Sequence, residues 1–162
     1  MNKLGEHIKL DIGSGNPDEG EFQPQGFILQ DIEPHKNIAV VCDIEELDKF
    51  INEGQCSHLR VSHVLEHFEA YKIPQLLKMF YYLIEKGGEL EIHVPNLRWH
   101  FQLIGEGRDD EAVTYMFGGQ KDKYDYHKTG FTLNRLIRLV TEAGFTIKEQ
   151  GEDGSLHIYA TK

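Results

Sequence analysis

Short apolar runs alternate with helix-patterned stretches along this chain, and that alternation narrows the choice of fold more than any other feature. Strand-like runs fall at 7–12, 27–30, 38–42, 58–62, 89–94, 145–149 and 156–160, and helix-patterned stretches at 45–53, 74–85, 98–105, 109–117 and 132–143. Such a chain predicts an α/β fold, a mostly parallel sheet with helices on both faces. Two helices carry their own start and stop signals. Pro74 suits a first helical position ahead of Leu76, Leu77, Phe80, Leu83 and Ile84, and Gly87-Gly88 ends the run. Thr132 is an N-cap candidate before Leu133, Leu136, Ile137 and Val140, with Gly144 as the stop. The last two strand-like runs flank Gly151-Glu152-Asp153-Gly154, which suits an antiparallel hairpin. Residues 16–26 break the rhythm. Their two prolines and two glycines predict a short, irregular crossover rather than a full helix.

At 162 residues a single domain spanning 1–162 is expected. Seventeen Lys and Arg against 27 Asp and Glu give a formal charge of −10, which argues against a nucleic-acid partner that would need clustered cations. Cys42 and Cys56 form neither a metal-type pair nor a disulfide framework. No stretch has the pattern of a signal peptide or the length of a membrane span, so a cytoplasmic protein without membrane contact is expected.

The first strand-like run, Ile8-Lys9-Leu10-Asp11-Ile12, breaks into Gly13-Ser14-Gly15. Two residues without a Cβ let backbone approach a ligand closely, and the carboxyl ends of strands are where nucleotide-like cofactors sit in open α/β sheets. A dinucleotide fingerprint needs a third glycine where Asp18 stands, and the Gly-Lys-Ser/Thr of a phosphate loop is absent. Asp11, inside the strand, would repel a diphosphate and welcome a cation. Asp31 follows the second strand-like run and suits the two hydroxyls of a ribose. Asp43 and Ile44 follow the third and suit an adenine, the carboxylate toward its amine and the aliphatic chain against its face.

With Val61-Ser62-His63-Val64-Leu65-Glu66-His67-Phe68 after the fourth strand, the chain resembles a class I S-adenosylmethionine-dependent methyltransferase, of the group similar to methyltransferase domain type 11. Leu10–Asn16 resembles the family's first motif, Asp31-Ile32 the ribose position, Asp43-Ile44 the base position and Ser62–His67 its "HVLEH" segment. Glu85–Leu90, Val94–Leu97, Phe117–Gln120, His127–Phe131 and Glu142–Phe145 extend the likeness over nearly the whole chain. The resemblance implies a Rossmann-like sheet of seven strands in the order 3-2-1-4-5-7-6, with strand 7 antiparallel. It implies S-adenosylmethionine as cofactor, with Asp11, Gly13, Ser14 and Gly15 at its methionine end, Asp31 and Ile32 at the ribose, and Asp43 and Ile44 at the adenine. Ser62 and His63 would approach the sulfonium and methyl group.

Methyl transfer to a hydroxyl or carbon calls for a proton acceptor, and His63 and His127 are the candidate bases. His63-x-x-Glu66-His67 also resembles the metal-binding E-x-x-E-H stretch of small-RNA 2′-O-methyltransferases, with His63 in place of the first Glu. The same letters recur in metal-free relatives, and no metal is expected. Residues 96–131, rich in Trp, Tyr, Phe and His, are expected to form a cover over the substrate. The short crossover is shared with relatives found alongside glycosyltransferases, which points to a small-molecule or saccharide acceptor, methylated on a hydroxyl. The rival readings are a non-catalytic cofactor-binding regulator or scaffold and an NAD-dependent oxidoreductase, the latter opposed by Asp11 and the missing third glycine.

Overall fold

Seven strands form one sheet in the order β3-β2-β1-β4-β5-β7-β6. The structure is a computed structural model that describes residues 4–16, 18, 20 and 22–162. In chain order the strands are β1 (Ile8–Ile12), β2 (Ile28–Asp31), β3 (Val40–Val41), β4 (Cys56–Ser62), β5 (Ile84–Pro95), β6 (Thr146–Glu152) and β7 (Ser155–Thr161). The helices are α1 (Ile73–Leu83), α2 (Leu97–Gly105), α3 (Asp109–Phe117) and α4 (Leu133–Glu142). Strands β1 to β5 pair in parallel, and β7 runs antiparallel to both β5 and β6. The predicted order and the antiparallel seventh strand are as found.

The strands' twofold alternation assigns their faces. Leu10, Ile12, Leu59, Val61, Leu90, Ile92, Val94, Leu156, Ile158 and Ala160 all lie in a single buried apolar cluster. Helix α1 adds Ile73, Leu76, Leu77, Phe80 and Leu83 to that cluster, at the spacing of one helical face. Helix α4 adds Leu136, Leu139 and Val140. Pro74 lies in the first turn of α1, and the Thr132 side chain caps α4 by accepting from the Arg135 backbone N–H. Truncating Phe80, which is wholly buried, would cost about 3–5 kcal/mol.

The opposite face is polar. Its central positions are Asp11, His58, Arg60, Glu91, His93 and Tyr159, and they form a ladder of charged contacts across the register Asp11↔Arg60↔Glu91↔Tyr159. The expectation of helices on both faces is therefore narrowed: helix packing dominates one face, while aromatic rings of the 16–27 connection lie on the other. The Phe22 ring lies beneath the Arg60 guanidinium, and Phe27 meets His58 edge to face. In that connection residues 17, 19 and 21 are outside the described residues, and the described ones contain no α-helix.

Several boundaries differ from the sequence reading, β5 and β6 among them, which run over Ile84–Pro95 and Thr146–Glu152. The stretch 45–53 becomes a 3-10 helix over Ile44–Lys49, capped by Asp43. Helix α1 stops at Leu83, and the chain enters β5 at once, so Gly87-Gly88 sits within the strand beside a register shift. Of the third strand-like run only Val40–Val41 pairs. Among the described residues no helix is long and apolar enough to cross a membrane.

Helices α2 and α3 belong to a segment that leaves and rejoins the sheet at one place. Asn96 bridges to Phe131, and the Leu97 N–H donates to the Phe131 carbonyl at 2.9 Å. The Asn96 side chain caps α2 through the Arg98 N–H and donates to the Asp153 carbonyl at 2.8 Å, which ties this point to the β6–β7 turn. Leu103 and Ala112 are buried in this hairpin but outside the main apolar cluster.

Candidate functional site

At the carboxyl ends of β1, β2 and β3 lies a cavity of about 390 Å³. Gly13 forms its floor. Its φ of 63° lies in the left-handed region, and a Cβ there would run into Cγ2 of Val64. Glycine is required on both counts. The loop is held by side chains of the next strand. The buried Gln30 amide accepts from the Gly13 N–H at 3.3 Å and donates to the Cys42 carbonyl at 2.7 Å, so one residue fixes the ends of β1 and β3 together. Asp31 accepts from the Gly15 N–H at 2.9 Å and from the Glu33 N–H at 3.0 Å.

Of the residues singled out in the sequence, Gly13, Asp31, Ile32, Asp43, Ile44 and His63 line this cavity. The Asp43 carboxylate also accepts from the Glu45 N–H. His63 takes a left-handed φ of 54°, while its N–H donates to the His93 carbonyl. A non-glycine residue held there costs free energy that the surrounding structure must supply, a pattern common at ligand sites.

Ser14, Gly15 and Ser62 are not among the lining residues. Ser14 is buried, its hydroxyl donating to the Asp11 carbonyl. Asp11 is also not among the lining residues and lies on the polar side of the sheet. Its carboxylate is 1% exposed and takes the Arg60 guanidinium of the neighbouring strand at 2.7 Å. Burial pushes its carboxyl above the usual carboxylate range, against the opposing pull of Arg60. Burial likewise raises the thiols, Cys42 to about 11 and Cys56 to about 12, so neither is a nucleophile at neutral pH.

The sequence reading missed Gln30 and a charged rim. Lys72 contacts Glu45 at 2.7 Å and Glu69 at 3.7 Å, and Glu69 contacts Lys128 at 3.3 Å. Burial and alternation gave no signal for these exposed chain ends. Gln30 did leave a trace, as the polar residue that interrupts Phe27-Ile28-Leu29.

His127, the second candidate base, lies in an adjacent smaller cavity with Glu66, His100, Tyr115 and Thr129. It is brought there by its Nδ1, which meets the Tyr115 carbonyl at 2.8 Å, and by the Lys128 and Thr129 N–H groups, which donate to the Glu66 carbonyl. The His127 and His67 rings meet edge to face, 4.9 Å between centroids. His100 is buried and stacks on Tyr115, and burial, with His127 nearby, lowers its basicity.

Solved structures share this architecture. A S-adenosylmethionine-dependent methyltransferase from Archaeoglobus fulgidus superposes with a TM-score of 0.67 at 19% identity, over 99% of this chain and 88% of the other. A possible histamine N-methyltransferase from Thermotoga maritima gives 0.66 at 18% identity, over 98% and 84%. The 1,6-didemethyltoxoflavin-N1-methyltransferase of Burkholderia thailandensis, solved with S-adenosylhomocysteine, gives 0.63 at 18%, over 98% and 72%. No family model and no curated protein matches the chain. The chain thus has the Rossmann-like fold of class I methyltransferases, with its strand order and its antiparallel β7.

Proposed function

We propose that this chain is a S-adenosylmethionine-dependent methyltransferase that acts on a hydroxyl of a small-molecule or saccharide acceptor in the cytoplasm. The observation that carries the reading is the sequence of groups along one cavity: Gly13 without a Cβ, then Asp31 with Ile32, then Asp43 with Ile44, at three adjacent strand ends. An adenosyl group fits that set. Asp31 would accept from the ribose hydroxyls, Asp43 from the adenine amine, and Ile32 and Ile44 would flank the base. Structures of this fold that hold S-adenosylhomocysteine support the same choice.

The bound cofactor supplies a methyl group on a sulfonium, already a strong electrophile, so positioning is the protein's main task. His63, at the cavity wall, would orient the acceptor and take its proton. The 97–130 segment, which carries Tyr124 and Lys123 into the cavity lining, would cover the acceptor. An acid rather than a third glycine at position 18 weighs against a dinucleotide.

Calorimetric titration with S-adenosylmethionine, S-adenosylhomocysteine and NAD tests the cofactor, and transfer of labelled methyl to a panel of hydroxyl compounds tests the reaction. Binding of both adenosyl ligands with labelled product is expected. Binding of NAD alone would overturn the reading, and adenosyl binding without transfer to any acceptor would leave a non-catalytic binder.

A further inference from the structure

We propose that Glu66, His67 and His127 bind a divalent transition-metal ion, with zinc the best fit, in the wall between the adenosyl cavity and the cavity beneath α2 and α3. One ligand atom from each of the three lies within 4.8 Å of the others, a spacing that a single ion can bridge. Glu66 and His67 come from the 3-10 turn Leu65–His67 that follows β4, and His127 from the loop ahead of α4.

Two further observations give this cluster the character of a metal site. Glu66 is 1% exposed, and neither of its carboxylate oxygens makes a hydrogen bond, although Nδ1 of His63 lies 3.3 Å from Oε1. A carboxylate removed from water without donors is costly, and proteins offset that cost with a cation or hydrogen bonds. The second observation is the tautomer of both imidazoles. Nδ1 of His67 meets the Tyr126 carbonyl at 3.2 Å, and Nδ1 of His127 meets the Tyr115 carbonyl at 2.8 Å. A carbonyl only accepts, so each Nδ1 carries a proton, and Nε2 is the nitrogen left to offer a lone pair to a metal. Histidines that ligate metals are anchored in this way, by a backbone carbonyl on the other ring nitrogen.

Two imidazoles and one carboxylate form a ligand set that suits zinc and leaves a coordination position open. His67 lines the adenosyl cavity, while Glu66 and His127 line its neighbour, so that position stands between the two. It would take an oxygen ligand from the acceptor, and this last assignment rests on the methyltransferase reading. The turn His63 to His67 alone, whose letters recur in metal-free relatives, did not carry the expectation of a metal. The third ligand arrives from sixty residues further along the chain.

The test is metal binding itself. Protein stripped with a chelator and dialysed is titrated with Zn2+ by calorimetry and with Co2+ by visible absorption, while S-adenosylmethionine binding is measured on the stripped protein. Binding of about one equivalent is expected, with ligand-field bands from Co2+. His67→Ala and His127→Ala should each weaken it by about tenfold or more, with far-UV circular dichroism unchanged. His35→Ala, remote from the cluster in sequence, should not. Glu66→Gln should do the same as the histidine variants, and the half-buried His67 keeps the test open if that variant fails to fold. No stoichiometric binding of either ion, or binding unaffected by both histidine variants, overturns the proposal. Adenosyl binding to the stripped protein separates that result from a failure of the methyltransferase reading.

Discussion

The carboxylate of Asp31 accepts the Gly15 N–H at 2.9 Å, so the residue at the tip of β2 holds the glycine loop that follows β1. Its other oxygen accepts from Glu33. Asp31 therefore keeps the loop in shape, and in the proposed reading it would also meet the ribose. Asp31→Ala should weaken S-adenosylmethionine binding by about 1–3 kcal/mol, the scale of hydrogen bonds to a charged group. Asp31→Asn, which keeps a single acceptor oxygen, should lose less. Calorimetry measures both, and an unchanged affinity in the alanine variant would remove Asp31 from the ribose position.

Gly13 is constrained twice, by its left-handed φ and by Val64. Gly13→Ala should lower stability by about 1–3 kcal/mol, combining backbone strain with the cost of overpacking. Adding Val64→Ala should relieve the steric part alone. Thermal melts of the single and double variants check this. Equal melting temperatures for the two would show that the side-chain clash contributes nothing.

Arg60 is the counter-charge for a carboxylate that is 1% exposed. Removing it alone, as in Arg60→Met, should destabilise the fold by about 3–5 kcal/mol, because Asp11 is left buried and unpaired. Asp11→Asn combined with Arg60→Met should recover part of that loss. Urea unfolding of the three proteins tests the pair, and a double variant no more stable than Arg60→Met would contradict it.

His93 gives the fold a pH dependence of known sign. Burial lowers its basicity, an effect outweighing the pull of Glu91, whose carboxylate is 3.0 Å away, and helped by Arg60 and His157; the Tyr159 ring lies edge-on to it. The folded state thus holds its proton less tightly than the unfolded chain. Above the unfolded value of about 6.5 both states are neutral and the stability is fully present. As the pH falls through that value the unfolded chain takes up the proton first, and stability is lost until the folded histidine also titrates. His93→Gln should lose less stability than the parent between about pH 7 and pH 5. Denaturant midpoints across that range measure it, and parallel curves would rule His93 out as the source.

Much of this arrangement is written locally. Strands β1, β2, β4, β5 and β7 announce themselves by alternation or apolar runs, and Gly13, Asp31 and Asp43 by their places where those runs stop. What could not be read locally depends on register and chain reversal. Asp11 is an acid inside the first strand-like run, and only the pairing of β1 with β4 reveals Arg60 opposite it. The polar face of the sheet was hidden for the same reason, since Arg60, Glu91 and His93 read as ordinary solvent positions until the strands are laid side by side. The rim is assembled from three separate segments, Glu45, the pair Glu69 and Lys72, and Lys128, and nothing near any one segment in sequence names the others.

Asn96 and Phe131 stand next to each other at the top of the sheet, and the segment between them leaves and returns at that junction. A segment whose two ends are already held together makes little demand on the rest of the chain for its own length or composition. It behaves as an interchangeable part. Another segment grafted between these two residues would meet the same sheet, the same glycine loop and the same strand-end acids. In the proposed reading, acceptor choice on this scaffold would change by replacement of one insert, with the strand-end residues Gly13, Asp31 and Asp43 kept.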